Sequence, residues 1–247
     1  MLKELEVFQE AEWIEPKNRF VFWSGGRDST VALHLALRAW KETPPRVVFV
    51  DTGIILPETL EYVHSLAEQW NLNLTVLKPE TDFWKRVKEK GFPIIKALWC
   101  RRLLKITPIR AFLEKEKGWK VQVLGIRRSE SPVRRTAWYY EKPFMQHRKM
   151  PSTYNLLPIL NWSKWRVEDY IRKHRIPLNP SYKIYGTSGC YFCPFVENER
   201  HYLALKRLHP ELFQKIVEAE RSKEGRTALV RKKLSPLLKQ HLLEDWL

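Results

Sequence analysis

The chain has 247 residues, of which 44% are apolar and 13% aromatic. This composition suits one large globular domain, or one domain with a helical annex, and excludes an intrinsically disordered chain. No apolar run approaches the roughly 18 residues that a membrane span needs. The N-terminal residues lack an apolar secretion segment, so we expect a cytoplasmic protein without a membrane partner. The formal net charge is +16.

The positive charge is unevenly distributed along the chain. Residues 1–90 hold 12 basic and 14 acidic residues, whereas residues 91–150 hold 15 basic and 4 acidic residues. Such a basic stretch favours a polyanionic partner beyond a nucleotide, and RNA such as tRNA is the first candidate. Lysine-rich surfaces are also common in heat-adapted proteins, so the charge alone leaves an ordinary solvated surface open.

Apolar strands alternate with amphipathic helices through the first half of the chain. The pattern predicts strands at residues 19–23, 46–50, 72–77 and 120–124, and helices at residues 30–40, 57–70, 82–90 and 99–116. This alternation predicts an α/β fold with a doubly wound parallel sheet. Ligands of such sheets bind beyond the carboxyl ends of the strands, where Ser24, Asp51 and Gly125 are placed.

The pattern changes after residue 158. A helix is predicted at residues 163–175, capped by Ser163, and a loop rich in proline, tyrosine and glycine at residues 177–189. From residue 197 onward the sequence is helical, charged and free of cysteine. We therefore predict one domain over residues 1–196 and a basic helical extension over residues 197–247.

A glycine-rich loop joins the first predicted strand to the helix that follows. Its residues are Ser24, Gly25, Gly26, Arg27, Asp28, Ser29 and Thr30. The glycines let backbone N–H groups approach phosphate oxygens, the hydroxyls add donors, and the helix offers its positive N-terminal end. The loop therefore predicts a nucleotide phosphate site, to which Asp51, Thr52 and Gly53 after the second strand are expected to contribute.

Arginines follow the fourth predicted strand. Guanidinium groups hold phosphate or sulfate oxygens in bidentate fashion, and Gly125 lets the backbone pass close to a ligand. We expect Arg127 and Arg128 to contact the ligand, whereas a solvated arginine loop explains Arg134 and Arg135 equally well.

Several motifs together resemble a known family. The loop is similar to the PP-loop of the ATP pyrophosphatase superfamily, whose members cleave ATP between the α and β phosphates. Four further segments resemble the phosphoadenosine-phosphosulfate (PAPS) reductase family of that superfamily, and they are Gly125 to Ser131, Pro158 to Trp162, Asp169 to Ile171 and Ile176 to Tyr182. The resemblance extends from about Arg19 to Phe195 and implies the adenine nucleotide alpha hydrolase-like fold. It implies ATP with Mg²⁺ as the ligand and, as catalytic residues, Ser24, Asp28, Arg127 and Arg128.

Three cysteines are present, Cys100, Cys190 and Cys193. This odd number argues against a disulfide framework and for a metal or redox site. Cluster-bearing reductases of the family supply four ligands, from a cysteine pair and a C-x-x-C segment, and here Arg101 replaces the second cysteine of the pair. The resemblance therefore implies a three-cysteine [4Fe–4S] site. Zn²⁺ with a histidine, a redox-active or persulfide-carrying Cys190–Cys193 pair, and inert buried cysteines remain alternatives.

The residues around Cys100 are basic and are expected to favour its thiolate; they are Arg101, Arg102 and Lys105.

Two features depart from the best-known reaction of the family. The sulfonucleotide reductases attack sulfate with a C-terminal cysteine, but no cysteine follows Cys193, and Ser-Gly-Gly-x-Asp-Ser is the loop form of members that bind a full ATP. The first hypothesis is therefore an ATP-dependent adenylating enzyme that transfers sulfur to RNA, with a sulfur or electron donor protein as a possible partner. The second is a sulfonucleotide reductase, or a sulfate-activating relative, with an external thiol. The third is a non-catalytic nucleotide- or RNA-binding module.

Overall fold

A computed structural model describes residues 4–131, 141–196 and 199–221. Arg134, Arg135 and the part of the predicted extension after residue 221 lie outside the described residues. Contacts divide the described residues into two compact units. The first unit comprises the residues up to Val50, Leu60–Leu77 and Ile109–Asn179, and the second comprises Asp51–Thr59, Lys78–Pro108 and the residues from Pro180 onward.

The first unit contains a mixed sheet in the order β3-β2-β1-β4-β6-β5. Its strands are β1 (Arg19–Phe22), β2 (Arg46–Val50), β3 (Leu74–Leu77), β4 (Lys120–Leu124), β5 (Phe144–Gln146) and β6 (Thr153–Leu156). All neighbouring strands are parallel except β5, which is antiparallel to β6. The central strand β1 is buried throughout, as expected for a parallel sheet with both faces covered.

The helices of the described chain follow the strands in alternation and then succeed one another. They are α1 (Arg27–Ala39), α2 (Pro57–Gln69), α3 (Phe83–Lys90), α4 (Trp99–Arg101), α5 (Thr107–Lys115), α6 (Lys164–Lys173), α7 (Ser181–Tyr185), α8 (Glu199–Leu208) and α9 (Pro210–Arg221). Short 3₁₀ helices lie at Glu6–Ala11, Pro16–Asn18 and Arg128–Glu130, and a π-helical turn at Arg102–Ile106 joins α4 to α5. No helix among these residues is long and apolar enough to span a bilayer.

Each unit has an apolar cluster of its own. In the first unit, Phe20 and Phe22 of β1 pack with Val48 of β2 and Leu113 of α5. In the second unit, α3, α7, α8 and α9 bury an aromatic-rich cluster that includes Phe83, Tyr185, Phe192, Tyr202 and Phe213. Both clusters bury apolar side chains between the helices and strands of their unit and so hold these elements together.

The predicted α/β class and doubly wound parallel sheet are confirmed. Three local predictions need correction. The predicted loop at residues 177–189 contains α7, the predicted helix at residues 99–116 is interrupted by the π-helical turn, and β5 and β6 were not predicted. The boundary near residue 196 stays a prediction, although α8 packs against α7 within the second unit.

Candidate functional site

The glycine-rich loop connects β1 to α1 within the first unit. Gly25 has a φ of +72°, in the left-handed region that favours glycine. Three donors share the carbonyl oxygen of Gly26, namely the N–H of Thr30 and the hydroxyls of Ser29 and Thr30, each at 2.9 Å. The loop is therefore closed on itself at the N-terminus of α1.

The hydroxyls of the loop hold its shape. The Oγ of Ser29 accepts the N–H of Ser24 at 3.2 Å and lies 3.0 Å from the Ser24 hydroxyl. Because the single proton of Ser29 is donated to Gly26, Ser24 is the donor of this hydroxyl pair. The Thr30 hydroxyl similarly accepts the indole N–H of Trp23 at 2.9 Å. Ser29 and Thr30 thus use their hydroxyls within the loop, and a phosphate contact by these two side chains stays a prediction.

Asn179 supports the loop from the far end of the first unit's sequence. Its side chain is only 2% exposed, and its amide N–H donates to the carbonyl oxygen of Gly25 at 3.1 Å. Asn179 was not among the site residues predicted from the sequence. It occurs in one of the segments that carry the family resemblance, but its contact with Gly25 is visible only in the folded chain.

The structure brings Gly125 against the first turn of α1. A Cβ atom at this position would lie 2.5 Å from the backbone of Asp28 and Ser29, a distance that real Cβ atoms do not reach. The end of β4 and the phosphate loop therefore pack backbone to backbone, as expected for two turns at the same edge of a parallel sheet.

Arg127 and Asp28 form an ion pair beside the loop. The Nε of Arg127 lies 3.0 Å from Oδ1 of Asp28, without the alignment of a hydrogen bond, and the arginine is 8% exposed. Another nitrogen of the guanidinium donates to Ser129 at 3.0 Å, and Ser129 in turn donates to the Trp162 carbonyl at 3.2 Å. Arg127 is therefore held with its charge at the first turn of α1.

The other two arginines of the predicted site have acceptors elsewhere in the first unit. Arg27 pairs with Glu168 of α6 at 3.0 Å. The N–H of Arg128 donates to the Leu160 carbonyl at 2.9 Å, and its guanidinium donates to the carbonyl oxygen of Glu141. A ligand contact by Arg128 stays a prediction.

Taken together, these groups form an arrangement suited to an anion. The first N–H groups of a helix have no acceptor within it, and the helix dipole adds positive potential there. Arg127 supplies a fixed positive charge close by. Such a site can hold the phosphate groups of a nucleotide.

Asp51, Thr52 and Gly53 follow β2 directly and belong to the second unit. The N–H of Gly53 donates to Oδ1 of Asp51 at 2.9 Å, and Gly53 has a φ of +76°. These residues form a tight turn, and their contribution to nucleotide binding stays a prediction.

All three cysteines belong to the second unit and are half-buried free thiols. Cys100 lies in α4, and Cys190 and Cys193 lie between α7 and α8. Cys190 forms an isolated antiparallel bridge with Ile55, and its sulfur lies 3.7 Å from the Thr52 hydroxyl. The fold thus fixes the start of the C-x-x-C segment against residues 51–59.

Burial controls the protonation of two of these thiols. Burial raises the pKa of Cys100 to about 11, and the nearby charge of Cys190 adds to this effect. Burial also raises the pKa of Cys193. The charge of Lys105 lowers the pKa of both thiols, as expected of a basic neighbour, but desolvation outweighs this effect in the metal-free protein.

The three sulfurs suit a thiolate-bound group by their chemistry. They are also close enough for the charge of Cys190 to raise the pKa of the other two thiols. However, the three cysteines do not form a recognisable metal site by themselves. Within residues 4–131, 141–196 and 199–221, no three His, Cys, Asp or Glu side chains are placed so that they could hold a metal ion. The predicted metal ligation by Cys100, Cys190 and Cys193 stays a prediction.

A buried histidine, not predicted from the sequence, supports the C-x-x-C segment. His201 of α8 is fully buried, and its Nε2–H donates to the carbonyl oxygen of Tyr191 at 2.9 Å. Burial lowers the pKa of His201, so the ring is neutral at physiological pH. The contact of His201 depends on the packing of α8 against this segment, which the local sequence does not show.

The family model of the phosphoadenosine phosphosulfate reductase domain matches residues 18–195, nearly three quarters of the chain. The chain belongs to the PAPS reductase family. The match covers the phosphate loop, the Arg127–Asp28 pair and all three cysteines. The family assignment therefore includes both polar regions described above.

Known proteins agree with membership of the PAPS reductase family. The chain is 28% identical over 205 residues to a phosphoadenosine 5'-phosphosulfate reductase of Buchnera aphidicola, covering 78% of this chain and 79% of the relative. It is 34% identical over 198 residues to an uncharacterized protein of Methanocaldococcus jannaschii, covering 79% of this chain but 46% of the relative. The chain thus spans about half the length of that relative.

Among solved structures, the PAPS reductase of Candida auris in its phosphate complex aligns with a TM-score of 0.57 at 21% identity. The alignment covers 76% of this chain and 88% of the reductase. At this identity the likeness establishes the fold alone, which is that of the PP-loop enzymes.

Proposed function

We propose that this chain is a PP-loop enzyme that cleaves Mg²⁺–ATP between the α and β phosphates and adenylates an acceptor. The observation that carries the proposal is the phosphate loop, which is closed on the Gly26 carbonyl at the N-terminus of α1, where the helix dipole is positive. The Arg127 charge at the same turn supports it.

The proposed reaction moves one adenylyl group. An acceptor oxygen attacks the α phosphorus, the bond from that phosphorus to the α–β bridging oxygen breaks, and pyrophosphate leaves with its electron pair. The loop N–H groups and Arg127 stabilise the negative charge that develops on the leaving group. Asp28 keeps the Arg127 guanidinium in place before ATP arrives.

We propose an oxygen of an RNA base as the acceptor, with a sulfur nucleophile displacing AMP in a second step. The balance of 15 basic against 4 acidic residues at 91–150 supports a polyanionic substrate. Cys100, Cys190 and Cys193 would hold a [4Fe–4S] cluster, or Zn²⁺, and a sulfur or electron donor protein would supply the sulfur. Such a cluster, when bound, offers an iron to which sulfur can attach.

The test follows the products of ATP. The protein is incubated with Mg²⁺ and ATP labelled at the α phosphate, with and without total tRNA, and the nucleotides are separated. We expect AMP and pyrophosphate that depend on tRNA, whereas ADP and phosphate would contradict α–β cleavage. Asp28→Asn, which keeps the side-chain size but removes the ion pair with Arg127, should lower the rate at least about tenfold. Arg172→Ala, which removes an exposed arginine of the same unit, should leave it unchanged.

A specific observation favours a second candidate, a sulfonucleotide reductase. The Buchnera relative carries that name, and its similarity covers more than three quarters of both chains. In this candidate an external thiol attacks the sulfur. Sulfite released from PAPS or adenosine 5'-phosphosulfate with dithiothreitol, and no AMP from ATP, would replace the adenylation proposal. Nucleotide or RNA binding without either product would leave a non-catalytic module.

A further inference from the structure

An open groove of about 750 Å³ lies along α7 and α8 in the second unit. Its apolar floor consists of Ile184, Leu203, Ala204 and Leu208. Its charged rim consists of Lys183, Arg200 and Arg207, and no acidic residue is among the described residues that line it. The groove therefore combines exposed aliphatic surface with charge of one sign.

The groove arises from the helical period of α8. Residues 200, 203, 204, 207 and 208 recur at intervals of three or four and share one face of the helix. The buried residues His201, Tyr202 and Leu205 face the core of the second unit. On this second face Ala204 still packs against the core cluster, as Ile184 of α7 does, whereas Leu203 and Leu208 are exposed.

Exposed leucines are grouped on that second face. Leu203 is 43% exposed and Leu208 is 42% exposed, and the two lie in the same groove. Scattered exposed leucines are ordinary, but leucines grouped in a concave surface with a polar rim are typical of an interaction site. Arg200 also donates to the Lys183 carbonyl at 3.5 Å, which links α7 to α8.

We propose that this groove binds an acidic amphipathic helix of a partner protein. Aliphatic side chains of the partner would pack on Leu203 and Leu208, and its flanking carboxylates would face Lys183 and Arg207. The occupant is a protein rather than RNA because no aromatic ring is among the described lining residues. An aliphatic floor offers bases neither stacking nor hydrogen bonds.

The test uses the full chain without nucleotide, so that it is independent of the proposed ATP chemistry. The probe is a fluorescein-labelled helical peptide of about 15 residues with leucines at intervals of three and four, flanked by glutamates. One control peptide has the same composition in scrambled order, and another has lysine in place of glutamate. Binding is measured by fluorescence anisotropy, and we expect the acidic amphipathic peptide to bind at least about tenfold tighter than either control.

Variants of the chain locate the binding to the groove. Leu203→Asp and Arg207→Glu should each weaken the acidic peptide at least about tenfold, and Arg207→Glu should strengthen the lysine peptide. Ile95→Asp, which changes another aliphatic residue of the second unit that is 47% exposed, should leave binding unchanged. Circular dichroism of each variant checks that the helices persist.

Three results would overturn the proposal. The first is equal binding of the acidic and scrambled peptides, or binding unaffected by both groove variants. The second is a single-stranded RNA whose binding both variants abolish, which would make the groove a nucleic-acid surface. The third is a concentration-dependent dimer that Leu203→Asp abolishes, which would make a second copy of this chain the occupant.

Discussion

Individual residues of the phosphate loop divide into those that hold its shape and those that can meet a ligand. Ser29 and Thr30 donate their hydroxyl protons to the Gly26 carbonyl, and Asn179 donates to the Gly25 carbonyl. These bonds satisfy two carbonyl oxygens that would otherwise repel phosphate oxygens. Because the N–H groups of Ser24 and Thr30 are also used within the loop, the positive end of the α1 dipole and the nearby Arg127 charge are the features that favour an anion.

Gly125 provides a test of the close packing between β4 and the loop. Because a Cβ atom would lie 2.5 Å from the backbone of Asp28 and Ser29, Gly125→Ala must displace the first turn of α1. We expect a loss of about 1–3 kcal/mol of unfolding free energy and weaker ATP binding. Denaturant unfolding and calorimetric titration with ATP measure the two effects.

The matched control is Gly189→Ala. A Cβ atom at Gly189 would lie 3.6 Å from the Thr187 hydroxyl, an ordinary van der Waals contact. We expect this variant to unfold within about 0.5 kcal/mol of the unaltered chain. If Gly125→Ala behaved like Gly189→Ala in both assays, the close approach of β4 to the loop would be refuted.

The sequence predicted the site residues whose chemistry is local and missed those that act through tertiary contacts. The loop and Arg127 were recognisable because glycines and a guanidinium at strand ends have a direct relation to phosphate. Asn179 was not, because 154 residues separate it from Gly25 and its side chain has no local signature. His201 was also missed, because its contact with the carbonyl oxygen of Tyr191 forms only when α8 packs against the loop that precedes it.

At the scale of elements, the cap of α6 was predicted from sequence and is present. The Oγ of Ser163 accepts the N–H of Arg166 at 3.1 Å. Ser163→Ala should therefore lower the unfolding free energy by about 1 kcal/mol, whereas Ser163→Asp, which retains an acceptor, should be nearly neutral. Equal stability of the alanine and aspartate variants in urea unfolding would contradict this role.

The strands that were predicted are those with apolar β-branched or aromatic runs, such as β1 and β2. The missed strands lack that signal. β5 has three residues, and β6 contains Asn155, a residue depleted in strands, whose side chain accepts the amide of Gln122 on β4 at 2.5 Å. Pairing with an existing sheet edge forms these strands, and no local pattern reports it.

The short helix α7 was missed because five residues are too few for helical periodicity to show. Ser181 and Tyr185, at the two ends of α7, are both buried, and Gly186 ends the helix with a φ of +77°. Tertiary packing therefore decides this segment, as the buried Tyr185 hydroxyl at 2.7 Å from Glu58 illustrates.

The cysteine segments allow a direct spectroscopic prediction. If Cys100, Cys190 and Cys193 hold an iron–sulfur cluster, protein purified without oxygen should be brown, with broad absorption near roughly 400 nm. Cys190→Ser and Cys100→Ser should each abolish the band while leaving far-ultraviolet circular dichroism unchanged. A colourless protein with stoichiometric zinc would assign the site to Zn²⁺, and a metal-free protein would leave a redox-active Cys190–Cys193 pair and inert thiols as the alternatives.

At the scale of the whole molecule, the phosphate loop and the cysteines belong to different compact units. The loop, Gly125 and Arg127 belong to the first unit, and the cysteines belong to the second, together with Asp51. The boundaries cross α2 between Thr59 and Leu60 and α5 between Pro108 and Ile109. One chain thus shares two of its helices between the units, which sequence patterns alone did not predict.

Global stability should depend on pH through a histidine of the first unit. Burial, followed by the charges of His174 and Arg38, lowers the pKa of His34 to about 4. Nδ1 of His34 lies 2.9 Å from the Tyr170 hydroxyl, which also accepts from Arg38 at 3.2 Å, so a positive charge close to the ring disfavours its protonated form. The unfolded chain, with a histidine pKa near 6.5, binds a proton that the folded chain rejects.

The sign of the effect follows from this difference. The contribution of His34 to stability is fully present above about pH 6.5 and is lost as the pH falls from about 6.5 towards 4. One such proton costs at most about 1.4 kcal/mol per pH unit, and less here because the ring is only half-buried. His34→Asn should flatten the fall in unfolding free energy measured by urea at several pH values. The slope that remains includes His147, His174 and His201, and at the acid end Glu58 and Asp169, whose pKa values are also lowered. An unchanged slope in His34→Asn would therefore contradict the assignment.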